Sequence, residues 1–463
     1  MASTQKTYSP IDGSLYVERS HASTEQIQKA LDLSTNVQTY WKKTTLSERQ
    51  ALCTKAVEAF VANKAQIAEE LCWQMGRPIR YAEGEVASFA DRANYMISIA
   101  QEALAPIQIK DKPGFTRYMK REAVGVVLVV APWNYPLHTP INAIIPALLA
   151  GNCVILKHSS QTPLCAERIV EAFEKAGLPE GAIQFLHMSH ESTEVLIKSP
   201  EIAGVAFTGS VSAGVKIEQA AAGRFIGVGL ELGGKDPAYI REDADLDYAI
   251  ECTVDGAFFN SGQSCCGIER IYVHEAIYND YVSKFVALVK QYKLGRSDDP
   301  ETTLGPLVRD SAAEFVRNQI VDAIKQGATP HIDPYGFAMD KKGSAYMAPQ
   351  VLTDVNHSMR LMTEESFGPV VGIMKVASDA EAVKLMNDSE FGLSASVFST
   401  DIPAAIALGE QIETGTFFVN RCDFLDPELA WTGVKNTGRG CTLSSQGFEA
   451  FTRLKSFHIK TKI

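Results

Sequence analysis

From Ser23 to Ala105 apolar residues recur at mixed three- and four-residue spacing, through 26-QIQKALDLSTNVQTYWKK-43 and 47-SERQALCTKAVEAFVANKAQIAEELCWQM-75. That periodicity predicts an amphipathic helical layer, with Trp41 and Trp73 serving its core rather than a binding surface. The pattern then changes. Residues 114-GFTRYMKREAVGVVLVV-130 begin with alternation at Phe115, Arg117, Met119 and Arg121 and pass into an unbroken β-branched run. The first half predicts an exposed hairpin, the second a buried parallel strand. Strand-like and helix-like segments alternate from there: 153-CVILK-157, 164-LCAERIVEAFEKAG-177, 183-IQFLH-187, 191-ESTEVLIKS-199, 204-GVAFTG-209 and a helix from Ser212. Such alternation predicts βαβ units in a doubly wound parallel sheet. It resumes after Gly234 with helical 246–260, strand 268-IERIYVH-274 and helical 276–293 and 311–327, followed by strand 370-VVGIMKV-376, helical 380–388 and strands 394–399 and 415–420. The expected fold is α/β, with a boundary near residue 230 marked only by the change of motifs.

At 463 residues with 46% hydrophobic content, the chain is long enough for two or three domains with substantial cores. Its 44 basic and 55 acidic residues leave a formal net charge of −11. An acidic balance disfavours nonspecific attraction to nucleic acid or anionic membranes and points to small-molecule partners. The run 123-AVGVVLVVAP-132 is too short to span a bilayer and ends at Pro132. No secretory pattern opens the chain, and its nine cysteines are irregularly spaced, so a reducing cytoplasmic setting is expected.

Three stretches carry candidate chemistry. In 258-FFNSGQSCCGIER-270 the adjacent thiols Cys265 and Cys266 follow a flexible Gly262, and Glu231 of 230-LELGGKDP-237 stands 34 residues upstream of Cys265. Together they offer a nucleophile and a base. The run 131-APWNYPL-137 stiffens Asn134 between prolines at a strand's carboxyl end, where its amide could serve a developing oxyanion or cap the following helix. The segment 207-FTGSVSAG-214 opens a helix behind a strand, a place for phosphate or a plain connection. Lys157 and Ser160 lie just past 153-CVILK-157, where ligands of parallel sheets bind.

Taken together, APWNYP, FTGS, LELGGK, FFNSGQSC and 364-EESFGPV-370 stand in the order and spacing of the NAD(P)-dependent aldehyde dehydrogenase superfamily, which the chain resembles over nearly its whole length. The resemblance implies a Rossmann-like cofactor domain from 1–113 and 124–230, a catalytic domain from 231–430, and an oligomerisation arm from 114–123 and 450–463. It implies Cys265 as the nucleophile that forms a thiohemiacetal and then a thioester. It also implies Asn134 with the Cys265 N–H as the oxyanion hole, and Glu231 as the base that activates the hydrolytic water. Acylating relatives that use CoA typically lack that carboxylate, so a free acid is the implied product. The implied cofactor contacts are Trp133, Lys157, Ser160, Gly209, Ser210, Gly214, Leu232, Glu365 and Phe367. Ser160 stands where strict NAD users carry a glutamate, so NADP is expected to be accepted alongside NAD, with His158 as an extra contact.

Some positions depart from the pattern. The loop after 183-IQFLH-187 reads MSHES where a glycine is common, so no cofactor contact is carried over there. Thr442 replaces a usual glutamate, whose role is lost or moved. Members acting on succinic semialdehyde carry arginines where this chain has Asn142 and Phe259, which leaves a carboxylate tail without an obvious partner. The expected tunnel is lined by Tyr135, His138, Asn142, Phe259 and Cys266. Beside it runs the acidic loop of Asp423, Asp426 and Glu428, which suits a polar aldehyde or an aminoaldehyde. Broad specificity, or a thiol-dependent esterase or acyltransferase on the same scaffold, are the alternatives. A homodimer or a dimer of dimers is expected from the strand-like edges at 114–123 and 452–463.

Overall fold

The computed structural model describes residues 3–462. Four helices, Thr24–Trp41, Leu46–Val61, Lys64–Met75 and Ile79–Ala103, form the N-terminal layer. The first two begin at capping boxes, Ser23 with Gln26 and Thr45 with Glu48, which satisfy backbone N–H groups that lack helical partners. The periodic run 47–75 is two helices, because Asn63 takes non-helical dihedrals at their junction. Trp41 is in the core, with its indole N–H donating to the Leu148 carbonyl at 3.2 Å.

Those helices pack beside a six-stranded sheet in the spatial order Gly438–Arg439, Gly227–Glu231, Ile202–Thr208, Val126–Val130, Cys153–Lys157, Ile183–Phe185. All pairings are parallel except the first. Val126–Val130 and Cys153–Lys157 are buried along their whole length, as continuous apolar strands covered on both faces must be. The chain winds outward from Val126–Val130 to Ile183–Phe185, then crosses back to Ile202–Thr208 on the other side. That reversal opens a crevice at the carboxyl ends of the central strands, the place where such sheets bind ligands.

A second sheet of seven strands has the order Thr329–Pro330, Gln350–Thr353, Val370–Val376, Ile268–His274, Asp236–Ile240, Ser394–Phe398, Thr416–Val419. The segment 114–123 is not a hairpin: Phe115–Ala123 is a single strand between Ile107–Gln108 and Thr452–Lys460. Its pairing with Thr452–Lys460 runs unbroken from Ala123 to Phe115. A hairpin of Thr4–Tyr8 with Leu15–Ser20 completes the N-terminus; no apolar alternation announces it, since its inward positions include Gln5 and Thr7.

Candidate functional site

Between the two large sheets lies a cavity of about 1140 Å³. The turns after Val130, Lys157 and Thr208 meet there with the loops carrying Cys265 and Phe367. Cys265 follows Asn260, Ser261 and Gly262, all in left-handed backbone (φ 52°, 57° and 71°). A Cβ on Gly262 would sit 2.2 Å from the Gly368 carbonyl, so only glycine lets the two loops approach this closely. Gln263 pins the turn, its amide oxygen accepting from the Val308 N–H at 2.8 Å and its NH₂ donating to the Asn260 carbonyl at 3.1 Å.

The two thiols differ in surroundings. Cys265 is partly exposed at the cavity wall. Cys266 is buried and donates its S–H to Asp423 Oδ1 at 2.9 Å. The adjacent Cys265 thiol and burial both push Cys266 well above the ordinary thiol range. Asp423, which also accepts from Ser264 Oγ at 2.9 Å, is itself raised by burial to about 6. Its loop neighbours Asp426 and Glu428 face solvent and do not line the cavity.

Asn134 is buried, and its Nδ2 donates to the Gln263 carbonyl at 3.2 Å. Its own carbonyl accepts from Arg77 Nη2 at 2.7 Å and Asn260 Nδ2 at 3.2 Å. Arg77 pairs in turn with buried Glu85, whose other oxygen accepts from the Leu137 N–H at 2.8 Å. This buried pair fixes the turn that presents the Asn134 amide. Sequence reading missed it, because neither residue belongs to a recognisable run. Lys235 and Glu269 do the same across the cavity, paired at 2.5 Å. Glu269 accepts from the Ser366 and Phe367 N–H groups at 2.8 and 2.9 Å.

Glu231 ends the strand Gly227–Glu231 and lines the same cavity as Cys265. Gly438–Arg439 pairs with this strand and brings Thr442 back, so that Thr442 Oγ1 donates to Glu231 Oε1 at 2.5 Å while Thr208 Oγ1 donates to Oε2 at 3.3 Å. Burial raises the Glu231 pKa, against the two hydroxyls and Arg92, which lower it. The residue that stood out only as a departure from the family pattern is the direct partner of the candidate base.

On the sheet side, Trp133, Lys157, Ser160, Gly209, Ser210 and Leu232 line the cavity, with Glu365 and Phe367 opposite. Trp133 and Phe367 meet edge to face, their centroids 5.6 Å apart. Ser210 caps the helix Val211–Ala221, whose N-terminal N–H groups open toward the cavity. Glu365 accepts from the Gly234 N–H at 2.9 Å, and burial lifts its pKa to about 8. Lys157 is buried with no carboxylate partner among the described residues, and desolvation lowers it to about 8. An uncompensated buried ammonium in the same cavity as a helix N-terminus fits a ligand rich in phosphate. Two expectations change. Gly214 does not line the cavity; it sits where Leu232 presses on the helix, and a Cβ there would lie 2.6 Å from Leu232 Cδ2. His158 is turned inward, its ring nitrogens 2.8 Å from the Pro136 carbonyl and 3.1 Å from Thr162 Oγ1; burial depresses it to about 4. The MSHES stretch, from which no contact was expected, leads into the helix His190–Lys198, which lines the cavity through His190, Thr193 and Glu194.

Tyr135, His138, Asn142, Phe259 and Cys266 also line the cavity. His138 stacks on Tyr135 at 4.8 Å.

The model of the aldehyde dehydrogenase family matches residues 1–457. The chain belongs to this family. It is 32% identical over 455 residues to the succinate-semialdehyde dehydrogenase [NADP(+)] 1 of Mycobacterium tuberculosis, covering 98% of this chain and 99% of the relative. It is 35% identical over 415 residues to the succinate-semialdehyde dehydrogenase [NADP(+)] of Deinococcus radiodurans, covering 90% of this chain and 86% of the relative. The succinic semialdehyde dehydrogenase of Streptococcus pyogenes, solved with NADP+, superposes with a TM-score of 0.94 at 30% identity, over 98% of this chain and the whole of that one. The protein is an NAD(P)-dependent aldehyde dehydrogenase. Among the described residues no helix is long and apolar enough to cross a membrane, and no cluster of metal-ligating side chains is present.

Proposed function

We propose that this aldehyde dehydrogenase oxidises a polar aldehyde to the free carboxylic acid, using NADP+ and also NAD+. The observation that supports it most is the placement of a half-buried, hydroxyl-held carboxylate, Glu231, in the same cavity as Cys265, the partly exposed one of the two adjacent thiols. Cys265 loses its proton toward Glu231, directly or through water, and its sulfur adds to the aldehyde carbon. The Asn134 amide and the Cys265 N–H hold the resulting oxyanion, in a turn already fixed by Arg77 and Glu85. The nicotinamide, when bound, supplies the acceptor for the hydride. Once it has passed the thiol proton on to solvent, Glu231 takes a proton from water, whose oxygen adds to the thioester carbon and expels the Cys265 sulfur, releasing the acid.

For the cofactor, Lys157 and Ser160 would hold the adenine ribose end, the helix at Ser210 the phosphates, and Glu365 with Phe367 the nicotinamide end. Ser160 puts no carboxylate behind Lys157, so a 2′-phosphate meets a cation rather than a repulsive charge. The NADP(+) in the names of the mycobacterial and Deinococcus relatives agrees with this. Following absorbance of the reduced nicotinamide over a panel of aldehydes should show NADP+ turnover with kcat/KM within about a hundredfold of that for NAD+, and Ser160→Glu should cut the NADP+ value by roughly tenfold or more. A wild-type NADP+ value below that window would refute the cofactor reading.

We assign residues 1–113 and 124–230 to the cofactor domain, 231–430 to the catalytic domain, and 114–123 with 450–463 to an arm. The strand Thr452–Lys460 leaves its outer edge free of partners among the described residues, which favours pairing with a second copy in a homodimer or a dimer of dimers. All nine cysteines are free thiols, in keeping with a reducing, cytoplasmic setting.

A further inference from the structure

Arg92 enters the cavity from the middle of the helix Ile79–Ala103, and it does so without a counter-charge. The residue is only 6% exposed and makes no ion pair among the described residues. Its neighbour in the cavity wall, Arg77, is equally buried, but takes Glu85 as its partner. Arg92 has only amide and carbonyl company: Nη1 lies 3.4 Å from the His138 carbonyl, and 3.3 Å from the Asn142 side-chain oxygen once that amide is turned so that its nitrogen donates to the His138 carbonyl at 2.9 Å. A guanidinium carries five donors in a fork shaped for a carboxylate, and burying it with so few acceptors is unfavourable unless something else arrives.

Beside it is a second unfilled donor. His138 Nδ1 is buried and has no hydrogen-bond partner, although the ring is held flat on Tyr135 at 4.8 Å. Burial and the positive charges of Arg92 and Arg77 hold His138 well below the ordinary imidazole range, so the ring is neutral and Nδ1 can carry a hydrogen to give. Arg92 also lies within electrostatic reach of Cys266, Glu231, Glu85 and Cys265. A ligand bound to it through one end therefore has its other end near the nucleophile only if it is short.

We propose that Arg92, with His138 Nδ1 and the Asn142 amide beside it, is a carboxylate subsite of the substrate cavity, and that the preferred substrate is a short ω-oxo carboxylic acid. This rests on the aldehyde-oxidising reading of the same cavity and deepens it. It replaces the expectation of an aminoaldehyde, because two of the three acids expected to attract a cation point to solvent and the third, Asp423, is engaged by Ser264 and Cys266. It also supplies a partner where the positions at 142 and 259 have none. The cation comes from a helix far upstream, not from those two positions.

The test compares succinic semialdehyde with butanal, an aldehyde of the same length without the carboxylate, using NADP+ and wild-type, Arg92→Met, Arg92→Lys and His138→Phe proteins. Wild type should favour the acid by about 10² or more in kcat/KM, and Arg92→Met should collapse that ratio by a similar factor, through KM. Arg92→Lys should restore part of the ratio, and His138→Phe, which keeps the stack on Tyr135, should reduce it by roughly tenfold through KM for the acid. If wild type oxidises butanal as well as the acid, or if Arg92→Met lowers both substrates equally and leaves the ratio in place, Arg92 serves the thiol or the fold and the proposal fails. Should Arg92→Met not fold, an acid-to-butanal ratio left unchanged in His138→Phe overturns it as well. Absence of turnover with every aldehyde would instead refute the aldehyde-oxidising reading itself.

Discussion

Replacing Cys265 by alanine will abolish aldehyde oxidation, whereas Cys266→Ala will leave the rate within about tenfold of wild type. The expected loss at Cys265 is on the order of 10⁴ or more, since removing the nucleophile removes the covalent route altogether. The contrast, implied already by the family resemblance, has its physical basis in the surroundings of the two thiols. Cys265 is partly exposed in the cavity that Asn134 and Glu231 also line, while Cys266 is buried and gives its hydrogen to Asp423. Steady-state rates with a saturating aldehyde check this, and iodoacetamide should alkylate wild type and Cys266→Ala rapidly but Cys265→Ala slowly. A Cys265→Ala protein that keeps its rate while Cys266→Ala loses it would mean that the other thiol reacts.

The second large effect is at Glu231. Glu231→Gln keeps the side chain's shape and its bond to Thr442 but cannot take a proton, so hydrolysis of the thioester should slow by about 10²–10⁴ while acylation and hydride loss change less. The hydroxyl of Thr442 favours the ionised form of Glu231, and burial opposes it. Thr442→Val removes the favourable partner, so the carboxyl holds its proton to higher pH. The acid limb of the pH–rate profile, which rises as Glu231 ionises, should then move toward higher pH and the neutral rate should fall by roughly tenfold. An acid limb that stays in place would show that Thr442 does not hold the base.

Most of the residues around this chemistry could be named before the structure, because they sit in short runs at the ends of strands, where glycine, proline and a fixed spacing leave a visible trace. What could not be named are the groups that hold those runs. Arg77 and Glu85 read as ordinary charges on helical surface, yet they are buried against the Asn134 turn. Lys235 is visible inside LELGGK, but its bond to Glu269 and the pinning of Phe367 by that acid join segments 34 and 98 residues apart. Arg92 has helical spacing on both sides and no motif of its own; only the packing of its helix against the cavity reveals it. His158 illustrates the opposite error. Its place after a strand suggested a cofactor contact, but side chains there alternate in direction, and its ring points inward to Pro136 and Thr162. The strand Thr4–Tyr8 escaped because its inward face is polar, and Phe115–Ala123 looked like a hairpin because its main partner, Thr452–Lys460, lies at the far end of the chain.

The account depends most on the division of labour between Cys265 and Glu231. Rapid mixing of Glu231→Gln with aldehyde and NADP+ measures it directly, through absorbance of the reduced nicotinamide. The expected result is a burst equal to the concentration of active sites, followed by a slow steady rate, with acyl-enzyme at Cys265 detectable by intact mass. A steady rate like that of wild type with no burst would contradict the account, because hydrolysis would then proceed without Glu231.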